Sequence, residues 1–389
     1  MNQATADYIR NHADDDVRQL ALRGKRDQEV DLVFALDQIA GRQAARRKLP
    51  SWAAIDGMTY PPHLSMEQCS SEQTARYKAG IIRGGNRLVD LTGGFGVDFS
   101  FMARGFAEAV YVERQEGLCD IASANFQLLG LEQAQVVCGD GTFFLRDMKP
   151  ADVIYLDPAR RDLHGGRTYA LSDCTPDVLA LRDLLLEKAA RVLLKLSPML
   201  DWRKAVSDVG EQYVREVHIV SVGNECKELL LLLQRGEGFQ LVCVNDDCVF
   251  RVGAQVEDQP QEYCNDNKTY RYLYEPNASI MKAGCFAQVG RRFGVRQIAA
   301  NSHLFVSVDM VSNFPGRLFQ IDAVTSMNKR ELKESLQGVS QANITVRNFP
   351  LSVADLRKRL KLSEGGSVYI FATTLASGDR VLFICHKVV

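Results

Sequence analysis

The sequence lacks long hydrophobic runs and closely spaced cysteine pairs. Its longest unbroken aliphatic stretch, Leu229–Leu233, has five residues, whereas a membrane-spanning helix needs roughly 18–20. None of the ten cysteines belongs to a Cys-x-x-Cys pair, the spacing that zinc ribbons and redox motifs require. The six histidines form neither a His-x-Glu nor a His-Glu-x-x-His pattern. The sequence therefore predicts no metal site and no membrane contact.

The first residues also lack the parts of a secretory signal. Residues 1–7 contain neither a basic segment nor an apolar one, and the cysteines are too sparse for a secreted disulfide framework. We therefore expect a soluble protein of the cytoplasm. Apolar residues make up 46% and charged residues 24% of the chain, which is typical of globular proteins. A length of 389 residues predicts two or three domains.

Acidic residues are scarce in the C-terminal part of the chain. Residues 276–389 contain 15 Lys and Arg but only 7 Asp and Glu, a net charge of +8. The other 275 residues contain 32 basic and 41 acidic residues, a net charge of −9. Clustered Lys and Arg gain affinity for a polyanion by displacing phosphate counterions. The C-terminal part is therefore a candidate polyanion-binding region, and a solvated basic surface is the alternative.

Four regions differ in their pattern of apolar residues. Residues 1–79 show helical spacing, for example over Val30–Ile39, and a capped helix start near Ser70. Residues 80–235 alternate short apolar strands with helices. Residues 236–275 contain a hairpin and an acidic linker, and residues 276–389 form a basic α+β region.

The strand candidates of residues 80–235 are continuously apolar, as Val153–Leu156 illustrates. Such strands are covered by helices on both faces and indicate a parallel sheet. The last two, Val217–Val222 and Leu229–Leu233, must be antiparallel, because their short loop cannot make a parallel crossover. We expect an α/β, Rossmann-like sheet of five parallel strands plus an antiparallel hairpin. The parallel candidates are Arg87–Leu91, Ala109–Glu113, Gln135–Cys138, Asp152–Leu156 and Arg191–Leu196.

Further elements are predicted in the two C-terminal regions. Phe239–Asn245 and Cys248–Val252 form a candidate hairpin across two aspartates. The later strand candidates are Leu318–Val324, Asn343–Arg347, Ser367–Thr373 and Arg380–Cys385, and the helix candidates are Lys329–Leu336 and Val353–Leu362.

The most specific motif is a glycine-rich turn after the first strand. Residues 88–96 read Leu-Val-Asp-Leu-Thr-Gly-Gly-Phe-Gly, so an apolar strand ends in an acid and the turn opens a helix. Glycine has no Cβ atom, which lets the backbone turn tightly and approach a nucleoside closely. The pattern favours a nucleoside-type cofactor, and a tight turn without a ligand is the alternative. The candidate cofactor residues here are Asp90, Thr92, Gly93, Gly94 and Gly96.

Acidic residues follow the next three strands. Glu113 lies 23 residues after Asp90, close to the offset of about 20 residues at which a carboxylate reaches ribose hydroxyls. A solvated glutamate is the alternative. Asp140 lies between two glycines, where a carboxylate can accept a hydrogen bond from an adenine amine. Asp157 follows the fourth strand. All these positions are carboxyl ends of strands, where an open α/β sheet binds its ligands.

These motifs resemble those of class I S-adenosylmethionine-dependent methyltransferases, over about residues 70–235. The resemblance implies that S-adenosylmethionine is the cofactor and that the glycine-rich turn holds its methionine part. It also implies that Glu113 holds the ribose, that Asp140 lies near the adenine, and that Asp157 faces the methyl acceptor beside the cofactor. The whole chain is similar to a bacterial group of methyltransferases with a C-terminal THUMP-like, RNA-binding domain. The stretches that carry this likeness are Asp157–Arg161, Lys195–Leu200, Asn224–Glu228 and Glu275–Ala278.

The motif after the fourth strand limits the chemistry. Methyltransferases of adenine amino groups typically carry Asp/Asn-Pro-Pro and an aromatic residue that stacks on a flipped base. Residues 157–160 read Asp-Pro-Ala-Arg instead, which better suits a ring nitrogen or another polar acceptor. Asp157 would accept the proton of the acceptor, and Arg160 would hold a phosphate or carbonyl. Alternatively, Arg160 and Arg161 form structural ion pairs, for example with Asp162.

A cysteine nucleophile, which C5 methylation of uracil needs, is not expected. The position after the fifth strand holds Ser197, and a serine is too weak a nucleophile without an activating base. Cys174 and Cys226 are the only cysteines near the predicted active edge. The candidate catalytic residues are Asp157, Arg160 and Ser197.

Two basic stretches are candidate RNA contacts. In residues 291–296 an aromatic residue is interleaved with arginines, as in single-strand contacts. In the helix predicted after Pro350, Val353, Leu356 and Leu360 line one face, so the basic residues point elsewhere. A solvated cationic face is the alternative. The candidate RNA-binding residues are Arg291, Arg292, Arg296, Arg357, Lys358 and Lys361.

The sequence therefore predicts an S-adenosylmethionine-dependent methyltransferase that modifies a base in a structured RNA, either tRNA or rRNA. One alternative is a small-molecule methyltransferase whose C-terminal domain only dimerises. Another is a non-catalytic RNA-binding protein with a vestigial cofactor pocket, and the intact set of Asp90, the glycines, Glu113 and Asp157 argues against it. The sequence leaves open the modified atom, the RNA and the oligomeric state.

Overall fold

The computed structural model describes residues 1–23, 29–160, 171–253, 262–264 and 269–388. The chain divides into two units. The first comprises Met1–Arg215 and Leu230–Glu237, and the second comprises Glu216–Leu229 and Gly238–Val389. Among the described residues, no helix has the length and apolar character needed to cross a membrane. The region boundaries predicted at residues 79, 235 and 275 stay predictions.

Helices account for most of the first 81 residues, as their apolar spacing predicts. Asp31 begins the longest of them by accepting a hydrogen bond from the N–H of Phe34. Ser71 accepts one from the N–H of Thr74, with Glu72 in the first turn, which confirms the capped start predicted there. The helices are α1 (Gln3–Asn11), α2 (Val17–Arg23), α3 (Leu32–Lys48), α4 (Pro50–Ala53), α5 (His63–Gln68) and α6 (Glu72–Ile81).

A sheet of parallel strands forms the centre of the first unit. Its strands and a short extra pair are β1 (Arg87–Asp90), β2 (Glu108–Glu113), β3 (Ala134–Cys138), β4 (Ala151–Leu156), β5 (Ala159–Arg160), β6 (Cys174–Thr175) and β7 (Ala189–Leu196). The spatial order β7–β4–β1–β2–β3, with every neighbouring pair parallel, confirms the predicted sheet. β5 and β6 pair antiparallel with each other. The bounds of the five strands differ from the predicted ones by one or two residues.

Helices connect these strands, because parallel neighbours need crossover connections. They are α7 (Val97–Met102), α8 (Glu116–Leu128), α9 (Gly141–Asp147), α10 (Val178–Lys188) and α11 (Trp202–Val209). β1, β2 and β4 are almost fully buried, as their continuous apolar sequences predict. β3 departs from this prediction, because it lies at the edge of the sheet and none of its residues is buried. Residues with no exposed surface include Leu88, Val89, Val110, Val153 and Ile154.

Two hairpins open the second unit. β8 (Val214–Val222) and β9 (Glu225–Leu233) are joined by Gly223 and Asn224, whose φ angles are 57° and 62°. Two consecutive left-handed residues make the tight turn that matches strand twist, which confirms the predicted antiparallel hairpin. β10 (Gln240–Asn245) and β11 (Cys248–Gly253) form the second predicted hairpin. The order in this unit is β11–β10–β8–β9, and within the first unit the end of β9 neighbours β7.

A second sheet occupies the C-terminal part. It contains β12 (Tyr272–Pro276), β13 (Arg296–Gln297), β14 (Phe305–Ser307), β15 (Gly316–Thr325), β16 (Asn343–Arg347), β17 (Val368–Thr374) and β18 (Arg380–Lys387). The strand order is β13–β14–β12–β15–β18–β17–β16. The helices are α12 (Ala278–Ala283), α13 (Phe286–Phe293), α14 (Lys329–Ser335) and α15 (Val353–Leu360). The four strands and two helices predicted after residue 316 are present.

Helix α15 differs from its prediction in two ways. It ends at Leu360, so Lys361 follows it as a left-handed cap with φ 59°. The prediction that Val353 joins the apolar face is wrong, because this residue is 38% exposed. The apolar cluster beneath the helix contains Leu356 and Leu360 but not the residue that begins the helix.

Candidate functional site

The glycine-rich turn between β1 and α7 packs against two aromatic rings. A Cβ atom on Gly93 would come within 2.2 Å of the ring of Tyr111, and one on Gly96 within 2.8 Å of the ring of Phe126. A Cβ atom on Gly94, whose φ is +57°, would meet no atom closer than 3.8 Å. Two of these glycines are therefore required by packing behind the turn. Gly94 leaves the other side of the turn open to a ligand.

Asp90 ends β1 and is only 1% exposed. Its Oδ1 accepts a hydrogen bond from the N–H of Thr92 at 2.9 Å, which fixes the start of the turn. Burial raises the pKa of this carboxyl well above its usual range, and the carboxylates of Asp98, Asp157 and Glu113 raise it further.

Glu113 ends β2 and holds the glycine-rich turn from the neighbouring strand. Its Oε2 accepts a hydrogen bond from the N–H of Gly94 at 2.9 Å, and its Oε1 accepts one from Gln115 at 2.9 Å. A carboxylate oxygen can accept two hydrogen bonds, so both oxygens retain capacity for ribose hydroxyls. The contact with Gly94 directly joins two of the predicted cofactor residues.

Asp140 begins helix α9. Its Oδ1 accepts hydrogen bonds from the N–H groups of Thr142 at 2.8 Å and Phe143 at 3.2 Å, an N-cap arrangement. The next residue, Gly141, lets the helix approach the end of β1, because a Cβ atom there would lie 2.2 Å from the carbonyl oxygen of Leu91. Asp140 is exposed, and Phe143 is 65% exposed beside it. The adenine contact of Asp140 stays a prediction.

Asp157 follows β4 and pairs with a lysine at the end of β7. Its Oδ2 lies 2.5 Å from the Nζ of Lys195, and its N–H donates to the hydroxyl of Thr92 at 2.6 Å. Surrounding protein atoms raise the pKa of Asp157, although 40% of its side chain is exposed, and the ammonium of Lys195 opposes that rise. Burial therefore disfavours the charged form of Asp157, whereas the ion pair with Lys195 favours it.

The structure describes less of the other two candidate catalytic residues, Arg160 and Ser197. The backbone of Arg160 belongs to β5 and pairs with Cys174, while its side chain and the whole of Arg161 lie outside the described part. Ser197 follows β7, and its hydroxyl accepts a hydrogen bond from the N–H of Met199 at 3.3 Å. Ser197 therefore helps to form the turn after Lys195. Catalytic roles for Arg160 and Ser197 stay predictions.

Sequence reasoning missed Lys195 and a second, fully buried lysine as site residues. Lys78 of α6 has no exposed side-chain surface, and its Nζ lies 3.1 Å from Oδ1 of Asp98 in α7. Oδ2 of Asp98 accepts hydrogen bonds from Ser70 at 2.8 Å and Tyr155 at 2.7 Å. A sequence signal existed for Lys195, which lies in a stretch that carries the family resemblance. Lys78 had no such signal, because a lysine in a helix normally indicates only a solvated face.

The pKa of Asp98 reflects this enclosed arrangement. Burial would raise it, but the ammonium of Lys78, then that of Lys195, and the hydrogen bonds from Tyr155 and Ser70 lower it below its usual range. The carboxylates of Asp98 and Asp157 are therefore each paired with an ammonium group, and the carboxyl groups of Asp90 and Glu113 lie near them. Among the described residues, no group of three or more His, Cys, Asp or Glu side chains could hold a metal ion.

Two stretches that carry the family resemblance meet in the second unit. Asn224 of the β8–β9 turn accepts a hydrogen bond from the N–H of Ala278 at 2.8 Å. The thiol of Cys226 lies 3.3 Å from the carbonyl oxygen of Ala278 and 3.2 Å from the hydroxyl of Ser221. Glu275, which is 5% exposed, pairs with Arg317. These contacts give both stretches a structural role, and they engage Cys226 in packing.

The first basic stretch lies on α13 and just after it. Arg291 and Arg292 are exposed, and Arg296 pairs with Glu262 at 3.4 Å. The interleaved aromatic, Phe293, packs in a cluster whose nearest ring centroids lie 5.7 and 6.0 Å away. The ring is thus engaged within the protein, which the sequence pattern did not indicate.

The second basic stretch surrounds the end of α15. Lys358 and Lys361 are exposed. Arg357 is half-buried, and its Nη1 donates to the carbonyl of Ala342 at 3.1 Å. Two of the three side chains therefore face solvent, while the third also stabilises the end of the helix. RNA contacts at these positions stay predictions.

Models of three protein families match separate stretches of the chain. A model described as protein-L-isoaspartate(D-aspartate) O-methyltransferase matches residues 69–164, which contain the glycine-rich turn and Asp157. A ferredoxin-like domain model matches residues 272–315, and a THUMP domain-like model matches residues 316–387.

A known structure and a known sequence are similar over most of the chain, and a further sequence is similar over a short part of it. The crystal structure of a candidate methyltransferase from Porphyromonas gingivalis W83 is 33% identical, covers 99% of this chain and 98% of its own, and has a TM-score of 0.88. An uncharacterised S-adenosylmethionine-dependent methyltransferase of Mycobacterium tuberculosis is 23% identical over 81% of this chain and 84% of its own length. A protein-L-isoaspartate O-methyltransferase of Thermotoga maritima is 36% identical over 18% of this chain and 24% of its own.

Proposed function

The chain belongs to the S-adenosylmethionine-dependent methyltransferases that carry a C-terminal THUMP-like domain, and we propose that it methylates a base in a structured RNA, a tRNA or an rRNA. The observation that carries this proposal is an acidic methyltransferase site in the same chain as a THUMP-like stretch of strongly basic sequence. We assign the cofactor core to residues 80–235 and RNA binding to residues 276–389. Residues 1–79 form an N-terminal helical region, and residues 236–275 form a hairpin and linker. A cytoplasmic location, which the cysteine spacing favours, belongs to the same proposal.

The acidic site fits the charge of S-adenosylmethionine, which is positive at its sulfonium and ammonium groups. A cation beside the buried carboxyl of Asp90 would offset the burial and the neighbouring carboxylates that raise its pKa. The open side of Gly94 and the spare acceptor capacity of Glu113 fit the approach of a nucleoside. We assign the methionine part to Asp90, Thr92, Gly93, Gly94 and Gly96, the ribose to Glu113, the adenine to Asp140, and the side nearest the acceptor to Asp157.

We assign Asp157 the role of accepting a proton from the methyl acceptor. The bound cofactor supplies an electrophilic methyl group on sulfur, and an acceptor nitrogen that carries a proton must lose it. Lys195 engages Oδ2 of Asp157, which leaves Oδ1 as the proton acceptor. A carboxylate whose conjugate acid has a raised pKa is a stronger base, and the ammonium of Lys195 favours the ionised form. Arg160 and Ser197 are assigned to polar atoms of the acceptor.

The proposal is tested by following the methyl group. The purified protein, labelled S-adenosylmethionine and total RNA from cells that lack the gene should yield labelled RNA. Mass spectrometry of nucleosides should identify one base that is methylated only when the gene is present. Asp157→Ala should lower turnover by roughly 10²–10⁴, the usual range for a positioned acid or base, while cofactor affinity stays nearly intact.

The controls separate the RNA from other acceptors. Lys204→Ala, which removes an exposed lysine paired with Asp208, should retain full turnover. Label that enters small metabolites but no RNA would favour the small-molecule alternative. A wild-type protein that binds the cofactor but labels neither would contradict the proposed reaction.

A further inference from the structure

A cationic groove lies in the first unit between α6 and the end of α7. It has a volume of about 470 Å³, within the range of roughly 300–1,000 Å³ that small-molecule sites occupy. Its wall from α6 includes Arg76 and Gly80, with Arg83 just beyond the helix, and its wall from α7 includes Phe101 and Arg104 just after it. None of the residues proposed to bind the cofactor lines it.

Arg76 is held in place with part of its side chain exposed. Its Nε and Nη2 both donate to Oε1 of Glu72, at 2.9 and 2.5 Å. Its guanidinium lies 4.8 Å from the ring centroid of Phe101, so it stacks on the apolar floor of the groove. The Arg76 side chain remains 59% exposed. Such a guanidinium is pre-organised for a second anionic partner, because little side-chain entropy is left to lose.

The positive charges that line the groove outnumber the negative charges that the protein places beside them. Glu72 offsets one of the three guanidinium groups. The carbonyl ends of α6 and α7 contribute about half a negative charge each, which would account for one more. The third remains as a surplus, and no carboxylate is among the described residues that line the groove. Arg83 and Arg104 are both exposed, although Arg104 also donates to the carbonyl of Leu129 at 3.2 Å.

We propose that this groove binds the sugar–phosphate backbone of the RNA acceptor. This inference rests on the proposed function. The surplus positive charge and two exposed guanidinium groups match a phosphate, and the apolar floor near Phe101 matches a sugar or base face. Gly80 keeps the α6 wall low, because a Cβ atom there would meet nothing within 4 Å. The methyltransferase unit thus contacts the RNA itself, in addition to the THUMP-like domain.

Binding of labelled, unfractionated bacterial tRNA to the full-length protein tests the groove. Arg83→Glu combined with Arg104→Glu should lower the affinity by on the order of tenfold at low salt. It should also make the slope of log affinity against log salt shallower by roughly 1.4–1.8, the value for two lost phosphate contacts. Gly80→Leu fills the groove without changing its charge, and it should weaken tRNA binding while cofactor affinity and melting temperature hold.

A matched charge reversal outside the groove distinguishes binding in the groove from a general effect of net charge. Arg10→Glu with Arg18→Glu changes two exposed arginines of the N-terminal helices and should leave affinity and slope unchanged. Equal losses in both double variants would mean that only net charge matters, and the groove proposal would fall. It would also fall if the groove variants bound tRNA like the wild type, with the proposed function still standing. A wild-type protein that binds no RNA in any salt would instead contradict the proposed function itself.

Discussion

At the scale of single residues, two carboxyl groups near the glycine-rich turn, those of Asp90 and Asp157, have raised pKa values. Burial raises the pKa of Asp157, and Lys195 opposes that rise from 2.5 Å away. Burial raises the pKa of Asp90 well above its usual range, and the carboxylates of Asp98, Asp157 and Glu113 raise it further. We propose different tasks for the two acids: proton transfer for Asp157, and contact with the cofactor for Asp90.

Replacing Lys195 should move the pH dependence of methyl transfer. Lys195→Met removes the charge that lowers the pKa of Asp157, so the carboxyl becomes protonated at a higher pH. Because only the ionised carboxylate accepts a proton, activity should be lost at a higher pH than in the wild type. Turnover on RNA divided by the Michaelis constant, measured against pH, reports this shift. Lys195→Arg, which retains the charge, should move the acid limb less, and an unmoved limb in Lys195→Met would exclude the effect.

Glu113 should matter for cofactor binding through two contacts. Glu113→Ala removes the expected ribose acceptor and the hydrogen bond to the N–H of Gly94. Cofactor affinity should fall by roughly 1–3 kcal/mol, the usual cost of losing a charged hydrogen-bonding partner. Calorimetric titration measures it, and Glu113→Gln, which keeps one acceptor oxygen, should lose less. An alanine variant that is folded and binds normally would remove Glu113 from the site.

At the scale of elements, a buried ion pair joins helix α6 of the N-terminal region to helix α7, which follows the glycine-rich turn. α6 contributes the buried Lys78, α7 contributes Asp98, and β4 contributes Tyr155 to one hydrogen-bonded cluster. The glycine-rich turn directly precedes α7, and it packs on the ring of Tyr111 from β2. Side chains of α6 and β4 thus hold the start of α7, and the ring of Tyr111 packs against the turn before it.

The buried pair should contribute strongly to stability. Lys78→Met leaves Asp98 buried without its cation, and breaking such a pair costs about 3–5 kcal/mol. Lys204→Met, which breaks an exposed pair with Asp208, should cost about 0–1 kcal/mol. Urea unfolding of both variants measures the difference. Adding Asp98→Asn to Lys78→Met should cost less than the sum of the single changes, because the two residues are coupled. Equal costs for the buried and exposed pairs would contradict this expectation.

At the scale of the whole molecule, opposite charges are carried by different parts of the chain. Residues 276–389 have a net charge of +8, and the remainder has −9. The acidic residues assigned to the cofactor belong to the first unit, and the basic residues near α13 and α15 belong to the second. Substitutions of the acidic set should therefore change cofactor affinity without changing RNA affinity, and substitutions of the basic set should do the reverse.

Charge reversal at the end of α15 should lower the affinity for RNA and leave cofactor affinity unchanged. Lys358→Glu with Lys361→Glu replaces two exposed lysines and spares Arg357, which also bonds Ala342. Affinity for RNA should fall, and its salt dependence should become shallower by roughly 1.4–1.8, because fewer counterions are released. Cofactor affinity should stay the same. The matched control is Arg380→Glu with Lys387→Glu, which also reverses two exposed charges and should leave RNA affinity unchanged. Unchanged RNA affinity and slope in the first variant would make the end of α15 a solvated face.

The sequence by itself determined the features that depend on neighbours in the chain. Continuous apolar runs indicated the parallel strands, a short loop indicated the antiparallel hairpin, and glycines after Asp90 indicated the turn. Each of these is a local pattern, because strand periodicity and turn geometry are set within a few residues. The family resemblance and the segregation of charge were likewise visible without a structure.

Only the tertiary structure decided which charged and aromatic side chains meet. Lys78 and Asp98 lie 20 residues apart in the sequence, and Asp157 and Lys195 lie 38 apart, so no local pattern links them. Val353 fits an apolar helix face by spacing, yet it is 38% exposed, because the packing cluster ends short of it. Periodicity shows which residues share a face, whereas contacts across the fold decide what covers that face.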